Sequence, residues 1–228
     1  MSLMTSLTSF YDKSVKVLSS LDGIAPLLFR LNLAPVMIQA GWNKLDGWEG
    51  TVGWFGGVLN LPFPEVMAAL AIGAELIGGV LLLFGFLTRL VSIPLMVTML
   101  VAITLVHWDN GWLAISDSSS WLANERVMEA AERKDAAKSL LRRHGNYGWL
   151  TGRGSITILN NGIEFGAIYF AMLLSLFFTG GGRGTSVDHF LTAGRRREAA
   201  ARLASGTSTP AASAADNSVA YSDDAAKV

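Results

Sequence analysis

Residues 66–87 read VMAALAIGAELIGGVLLLFGFL, and their reading decides the fold. The stretch carries one ionisable side chain, Glu75, close to its midpoint. About 20 apolar residues cross the hydrocarbon core of a bilayer, so this length and polarity predict a transmembrane helix. A carboxylate at mid-depth is costly there and calls for a partner or a task. Around it lie Ala71, Gly73, Ala74, Gly78 and Gly79. Small residues at this spacing let a second helix approach closely, because packing must supply the attraction that lipid does not. The helix belongs inside a bundle.

Composition agrees. The chain of 228 residues is 51% hydrophobic and 16% charged, too apolar for an ordinary soluble domain. Its formal net charge is zero, which gives no electrostatic reason to bind nucleic acid. It has no cysteine, so disulfides, thiolate metal sites, thiol redox chemistry and covalent c-type haem are excluded in this chain. No metal-binding motif and no phosphate-binding loop appear; the glycines at 180–184 follow a predicted helix instead of opening one. The first 23 residues lack a continuous apolar core and read as uncleaved.

Working outward, three more spans emerge at residues 24–42, 90–108 and 156–179. The first holds Arg30, Asn32 and Gln39, unusual guests in lipid, together with Pro35, which removes one helical hydrogen bond. Residues 43–64 form an interfacial or re-entrant loop. Thr88 and Arg89 mark a tight turn between the second and third spans. Residues 109–155 are a polar insert whose centre, 122–143, reads as a surface helix with Glu129 and Arg133 in favourable i,i+4 order. Residues 1–23 place Phe10, Val17, Leu18 and Leu21 near one face, as an interfacial segment would. Residues 191–228 form a basic and then Ala/Ser/Asp-rich tail with little to bury, expected to be disordered beyond Ala199. The predicted fold class is therefore all-α integral membrane, a four-helix transmembrane bundle with an extracytoplasmic loop cap.

Four spans put both termini on one side. Arg89, Arg183 and Arg195–Arg197, the charges nearest the membrane, place that side in the cytoplasm. All seven tryptophans fall in or beside the two opposite loops. Symmetric aromatic belts would divide them between both interfaces, so the cluster points to a cap shared by those loops.

Several fragments carry a resemblance: Gly41-Trp42-x-Lys44-Leu45, Glu75-Leu-Ile-Gly78-Gly79, the run Leu83–Arg89, and Gly180-Gly-Gly-Arg-Gly-Thr-Ser186-Val-Asp188. In this order and placement, the chain resembles the DoxX family of four-helix bacterial inner-membrane proteins, over about residues 24–107 and 156–190. The resemblance implies a small subunit or companion of a membrane oxidoreductase, or a companion of a peptide-modification or oxidative-stress system, with a quinone as the expected ligand and a membrane or soluble oxidoreductase as the expected partner. The long insert departs from the compact family pattern, so its role is not carried over.

Two constellations carry candidate chemistry. Glu75 and Arg30 form an expected intramembrane polar pair, read either as a structural lock or as a proton or ligand site. Lys44, His107, Asn160, Asn161 and Glu164 lie near the outer interface on three helices. They converge as a ligand site for a quinone head group, or serve as ordinary helix-end caps. A haem between His107 and His144 has far less support. The favoured function is an accessory subunit of a quinone-linked oxidoreductase system, without an autonomous catalytic motif. The alternatives are a partner-recruiting scaffold working through the insert and a small-solute carrier using Glu75 and Arg30.

Overall fold

A computed structural model describes residues 3–19 and 21–204. It forms two units, residues 1–190 and 191–228. In the first, α1 (Leu3–Ser19) precedes α2 (Ile24–Asp46), a short α3 (Trp48–Gly57), α4 (Pro64–Phe84) and α5 (Thr88–Val101). A π-helical turn, Ala102–His107, and a 3-10 turn, Trp108–Asn110, prolong α5. The insert holds α6 (Glu125–His144) and α7 (Tyr147–Leu150), after which α8 (Glu164–Thr179) returns. The last helix, α9 (Val187–Ala204), runs into the second unit, where it carries Arg195 and Arg202. Residues 199–204, expected to be disordered, instead form the last turns of α9, and the rest of that tail, from residue 205, lies outside the described residues.

Four helices make the bundle: α2 packs on α4, α4 on α5, α5 on α8, and α8 closes back on α2. Leu33, Met37, Leu82, Val91, Leu95, Met99, Leu173 and Leu176 form its core. The glycines of α4 divide the work. A Cβ on Gly79 would meet Ile38 at 2.8 Å, whereas one on Gly78 would meet Val91 at 3.3 Å. Gly79 thus admits α2 and Gly78 admits α5. Gly41 completes the α2–α4 seam, seated against Leu76 and the Cβ of Glu75.

The second span ends at Phe84, three residues before the end expected from composition. Gly85, at φ +66°, stops it: its N–H bonds the Leu82 carbonyl, and the Phe86 N–H bonds that of Leu81. These are the paired bonds of a Schellman cap, which needs a left-handed residue that glycine supplies cheaply. The tight turn is therefore Gly85–Leu87, and Thr88 and Arg89 already belong to α5.

The fourth span begins at Glu164, not at 156. Composition alone extends it, but the backbone of 156–163 is engaged elsewhere. Asn160 and Asn161 donate to the Ala114 carbonyl, Gly162 to Leu113 and Ile163 to Gly111, while Ser116 donates to Ile158. The strap satisfies its polar groups against the insert, as non-helical backbone near a bilayer must. The remaining α8 has 16 residues, about 24 Å at 1.5 Å per residue. Among the described helices, Ile24–Asp46, Pro64–Phe84 and Thr88–Asn110 are long and apolar enough to cross a membrane, and α8 is a shorter apolar fourth.

The insert helix starts later than expected because Asn124 is the better N-cap: its Oδ1 accepts the Val127 N–H at 3.0 Å. Its Glu129–Arg133 pair forms at 2.8 Å, but both side chains are exposed and the pair contributes little. All seven tryptophans are exposed, so they rim the loop cap rather than fill it.

Candidate functional site

Polar side chains gather at three levels. At the end of the bundle that carries the insert, the π-helical turn brings His107 to the strap, with its Nδ1 2.8 Å from the Asn161 carbonyl. Asn110 donates to the same carbonyl at 3.0 Å. Asn160 is buried and donates to the carbonyls of Asn110 and Leu113, at 2.8 and 2.6 Å, which leaves its Oδ1 without a partner. Glu164 accepts the Ala114 N–H at 2.9 Å. His107, Asn160, Asn161 and Glu164 are thus brought together, but their bonds run to backbone and tie the insert to α8. Their geometry is that of caps and struts.

Lys44 is not among them. Its ammonium lies 2.6 Å from Glu75 Oε2 and is the partner that Arg30 was expected to be. The register explains the exchange. Gly41 faces Leu76 and Ile38 faces Gly79, so each step up α2 is a step back along α4. Continued to Arg30, that register reaches the level of Leu87, 12 residues beyond Glu75 and about 18 Å away. Lys44, one turn above Gly41, reaches Glu75 easily.

Glu75 lies 11 residues into α4, about 16 Å below its start and so near mid-membrane. Its side chain is 4% exposed, whereas that of Lys44 is 28% exposed at the break between α2 and α3. The Thr51 hydroxyl donates to the Lys44 carbonyl across that break at 3.0 Å, fixing the last turn of α2. The result is a buried carboxylate bonded to an ammonium that keeps donors free and can be reached from outside the bundle.

Arg30 belongs to the level at the opposite end of the bundle, beside the α4–α5 turn. It is 1% exposed and donates to the carbonyls of Leu83, at 3.3 Å, and Thr185, at 2.7 Å. The first is an orphan carbonyl at the C-terminal end of α4, where a cation also complements the helix dipole. Opposite it, the Asp188 carboxylate accepts the N–H groups of Leu87, at 2.7 Å, and Thr88, at 2.9 Å, at the N-terminus of α5. The glycine-rich loop at 180–184 does stop α8, with Gly180 at φ +79°. It also delivers Thr185 and Asp188 to the turn. Among the described residues, no group of three or more His, Asp or Glu side chains could hold a metal ion.

Fold and polar levels together define a multi-pass α-helical membrane protein with an ion pair inside its bundle. Residues 25–108, from the start of α2 through the π-helical turn, match the family model described as DoxX, and over this stretch the chain is similar to that family. The curated "Putative oxidoreductase CatD" of Bacillus subtilis (strain 168) is 37% identical over 83 residues, covering 36% of this chain and 60% of that protein. "Inner membrane protein YqjF" of Escherichia coli (strain K12) is 35% identical over 72 residues, covering 32% and 53%. An uncharacterized protein of Haemophilus influenzae is 32% identical over 98 residues, covering 40% and 62%. The chain thus spans about half to three-fifths of the length of these relatives. No solved structure matches it. The strap, α8 and the glycine-rich loop after it lie beyond the matched residues.

Proposed function

We propose that the protein is a subunit of a quinone-linked oxidoreductase system in the bacterial inner membrane, and that it holds a quinone head group at Lys44 and Glu75. The observation that carries this reading is the 2.6 Å ion pair near mid-membrane, closed at Glu75 and open at Lys44. Packing does not require it, because Gly41 and Gly79 already set the α2–α4 approach. A buried ion pair is a weak source of stability against an apolar replacement, so its presence points to use. A quinone resides in the bilayer and carries carbonyl oxygens that accept hydrogen bonds. The free donors of the Lys44 ammonium suit such an oxygen, and the Glu75 carboxylate beside it can hold the proton that quinone chemistry exchanges.

The electrons come from a partner oxidoreductase, as the name of the B. subtilis relative encourages. Both termini face the cytoplasm in this reading, with Arg89 and Arg183 on the inner side. His107, Asn160, Asn161 and Glu164 support the fold of the outer end and leave the head group to the deeper pair.

The test uses the full chain in lipid nanodiscs with a short-chain benzoquinone, its binding read by tryptophan quenching and by mass spectrometry of retained quinone. Lys44→Met should weaken binding at least tenfold, while His107→Ala should change it less than twofold. Equal binding by the wild type and Lys44→Met would sink the assignment.

A further inference from the structure

The first transmembrane helix carries a second polar feature that the ion pair does not use. Asn32, Gln39 and Asn43 are all exposed on the outside of α2. At 100° per residue they fall within an arc of about 40°. The side of α2 that enters the core carries Arg30, Leu33, Ala34, Met37 and Gly41 and lies roughly opposite that arc. The three carboxamides therefore point away from the bundle, along about 16 Å of a membrane-spanning helix. Gln39 Nε2 donates to Asn43 Oδ1 at 2.7 Å, and Asn32 has no hydrogen-bond partner among the described residues. Gln39 keeps its carbonyl oxygen, and Asn43 keeps both of its N–H donors.

An amide facing lipid lacks the partners that water would give it, and membrane helices recover them by bonding across a helix interface. The spacing here is that of such an interface. Asn32, Gln39 and Asn43 keep the steps of seven and four that an a/d seam of two packed helices uses, with Val36 at its edge, half-buried against the bundle core. The exposed Ala25 continues the same face toward the start of α2, while Phe29 packs against the core of its own bundle.

We infer that this face of α2 pairs with the same face of a second copy of the chain. Two copies inserted with the same orientation are related by a two-fold axis along the membrane normal. Such an axis sets each residue opposite itself at equal depth. A carboxamide is both donor and acceptor, so Asn32 opposite Asn32, and Gln39 and Asn43 opposite their own copies, satisfy one another without any further group. Between Ala25 and Asn43 the face carries no charge that would ask for a complementary partner; Asp46 is exposed at its end, on the last turn of α2. Another protein's helix would need amides matched at three depths, whereas a second copy has them by symmetry.

The absence of cysteine makes the test direct. Single Asn32→Cys, Gln39→Cys and Ile77→Cys variants of the full chain are oxidised in native membranes; Ile77 is an exposed residue on α4 and serves as the control. Dimer cross-linking at positions 32 and 39 should exceed that at 77 at least fivefold. The triple variant Asn32→Leu/Gln39→Leu/Asn43→Leu leaves the core side of α2 untouched. It should keep the thermal transition of the wild type while its dimer fraction, read by energy transfer between labelled copies in vesicles, falls at least tenfold. Cross-linking at 32 no greater than at 77, cross-links to a different protein alone, or a triple variant that still pairs would each overturn the inference.

Discussion

Lys44 and Glu75 meet at 2.6 Å from antiparallel helices, and the two ends of the contact are unequal in their exposure outside the bundle. Lys44 stands on the last turn of α2 with a flexible stem and 28% of its side chain exposed, so it can withdraw. Glu75 stands in the middle of α4 and cannot.

That inequality predicts unequal mutants. Lys44→Met strands a buried carboxylate and should cost about 3–5 kcal/mol of stability, the range for breaking a buried pair. Glu75→Gln leaves a lysine that can swing outward and should cost about 1 kcal/mol. The deficit of Lys44→Met should also shrink as pH falls, because a protonated Glu75 needs no counter-charge. The double variant Lys44→Met/Glu75→Leu should recover most of the loss. Thermal unfolding of the four proteins in detergent checks the cycle, and equal costs for the two single variants would show that the asymmetry has no energetic weight.

The glycines of α4 predict a second contrast. A Cβ on Gly79 would press on the Ile38 backbone N at 3.1 Å and the Ala34 carbonyl at 3.3 Å, and neither can yield without moving α2. Gly79→Ala should therefore cost about 1–3 kcal/mol through overpacking. Gly73, on the same helix, has nothing within 4 Å of the point where a Cβ would stand, and Gly73→Ala should be neutral or slightly stabilising. Melting temperatures of the two variants decide it, and the seam would be mis-set if their order were reversed.

The helices and their close-packed faces were legible in the sequence because apolar length and small-residue spacing are local signals. The partner of Glu75 was not, because it depends on the register between two helices. Gly41 and Gly79 held the clue: with Gly41 against Leu76 and Gly79 against Ile38, Lys44 comes beside Glu75 and Arg30 falls a full 12 residues away. The end of α4 was also available, since Gly85 followed by a β-branched Thr88 marks a left-handed stop before a new helix. The start of α8 was hidden more deeply. Residues 156–161 are apolar enough to join a span, and only their pairing with residues 111–116, about 45 positions earlier, withdraws them from it. Asp188 was visible as part of a motif, but its role as a cap requires the fold that carries it back to Leu87.

Glu164 separates the two candidate sites. Its Oε2 accepts the Ala114 N–H, a bond that Glu164→Gln can keep and Glu164→Ala cannot. Glu164→Ala should cost about 1–3 kcal/mol, the penalty for an unpaired buried donor, and should loosen the strap. Amide hydrogen exchange at residues 111–116 should then accelerate, while benzoquinone binding stays within twofold of the wild type. A tenfold loss of quinone binding in Glu164→Gln, with exchange unchanged, would return the head group to the outer end.

Arg30 and Asp188 hold one turn from opposite sides, and this predicts coupling. Arg30 satisfies the Leu83 carbonyl at the negative end of α4, and Asp188 satisfies two N–H groups at the positive end of α5. Both also anchor the loop after α8, Arg30 through the Thr185 carbonyl and Asp188 through its own N–H to the Gly85 carbonyl. Asp188→Asn keeps one acceptor and should cost about 1 kcal/mol; Asp188→Ala loses both and should cost about 2–3 kcal/mol. Arg30→Met frees the same loop from its other tether. Loss of either side chain loosens the turn that both hold, so the second loss should cost less, and the double variant should fall short of additivity by about 0.5–3 kcal/mol. Unfolding of Arg30→Met, Asp188→Ala and the double variant measures that coupling, with hydrogen exchange at residues 85–88 reporting the turn itself. Strict additivity would mean that the two side chains act on separate structures, which their shared hold on the turn and the 180–188 loop argues against.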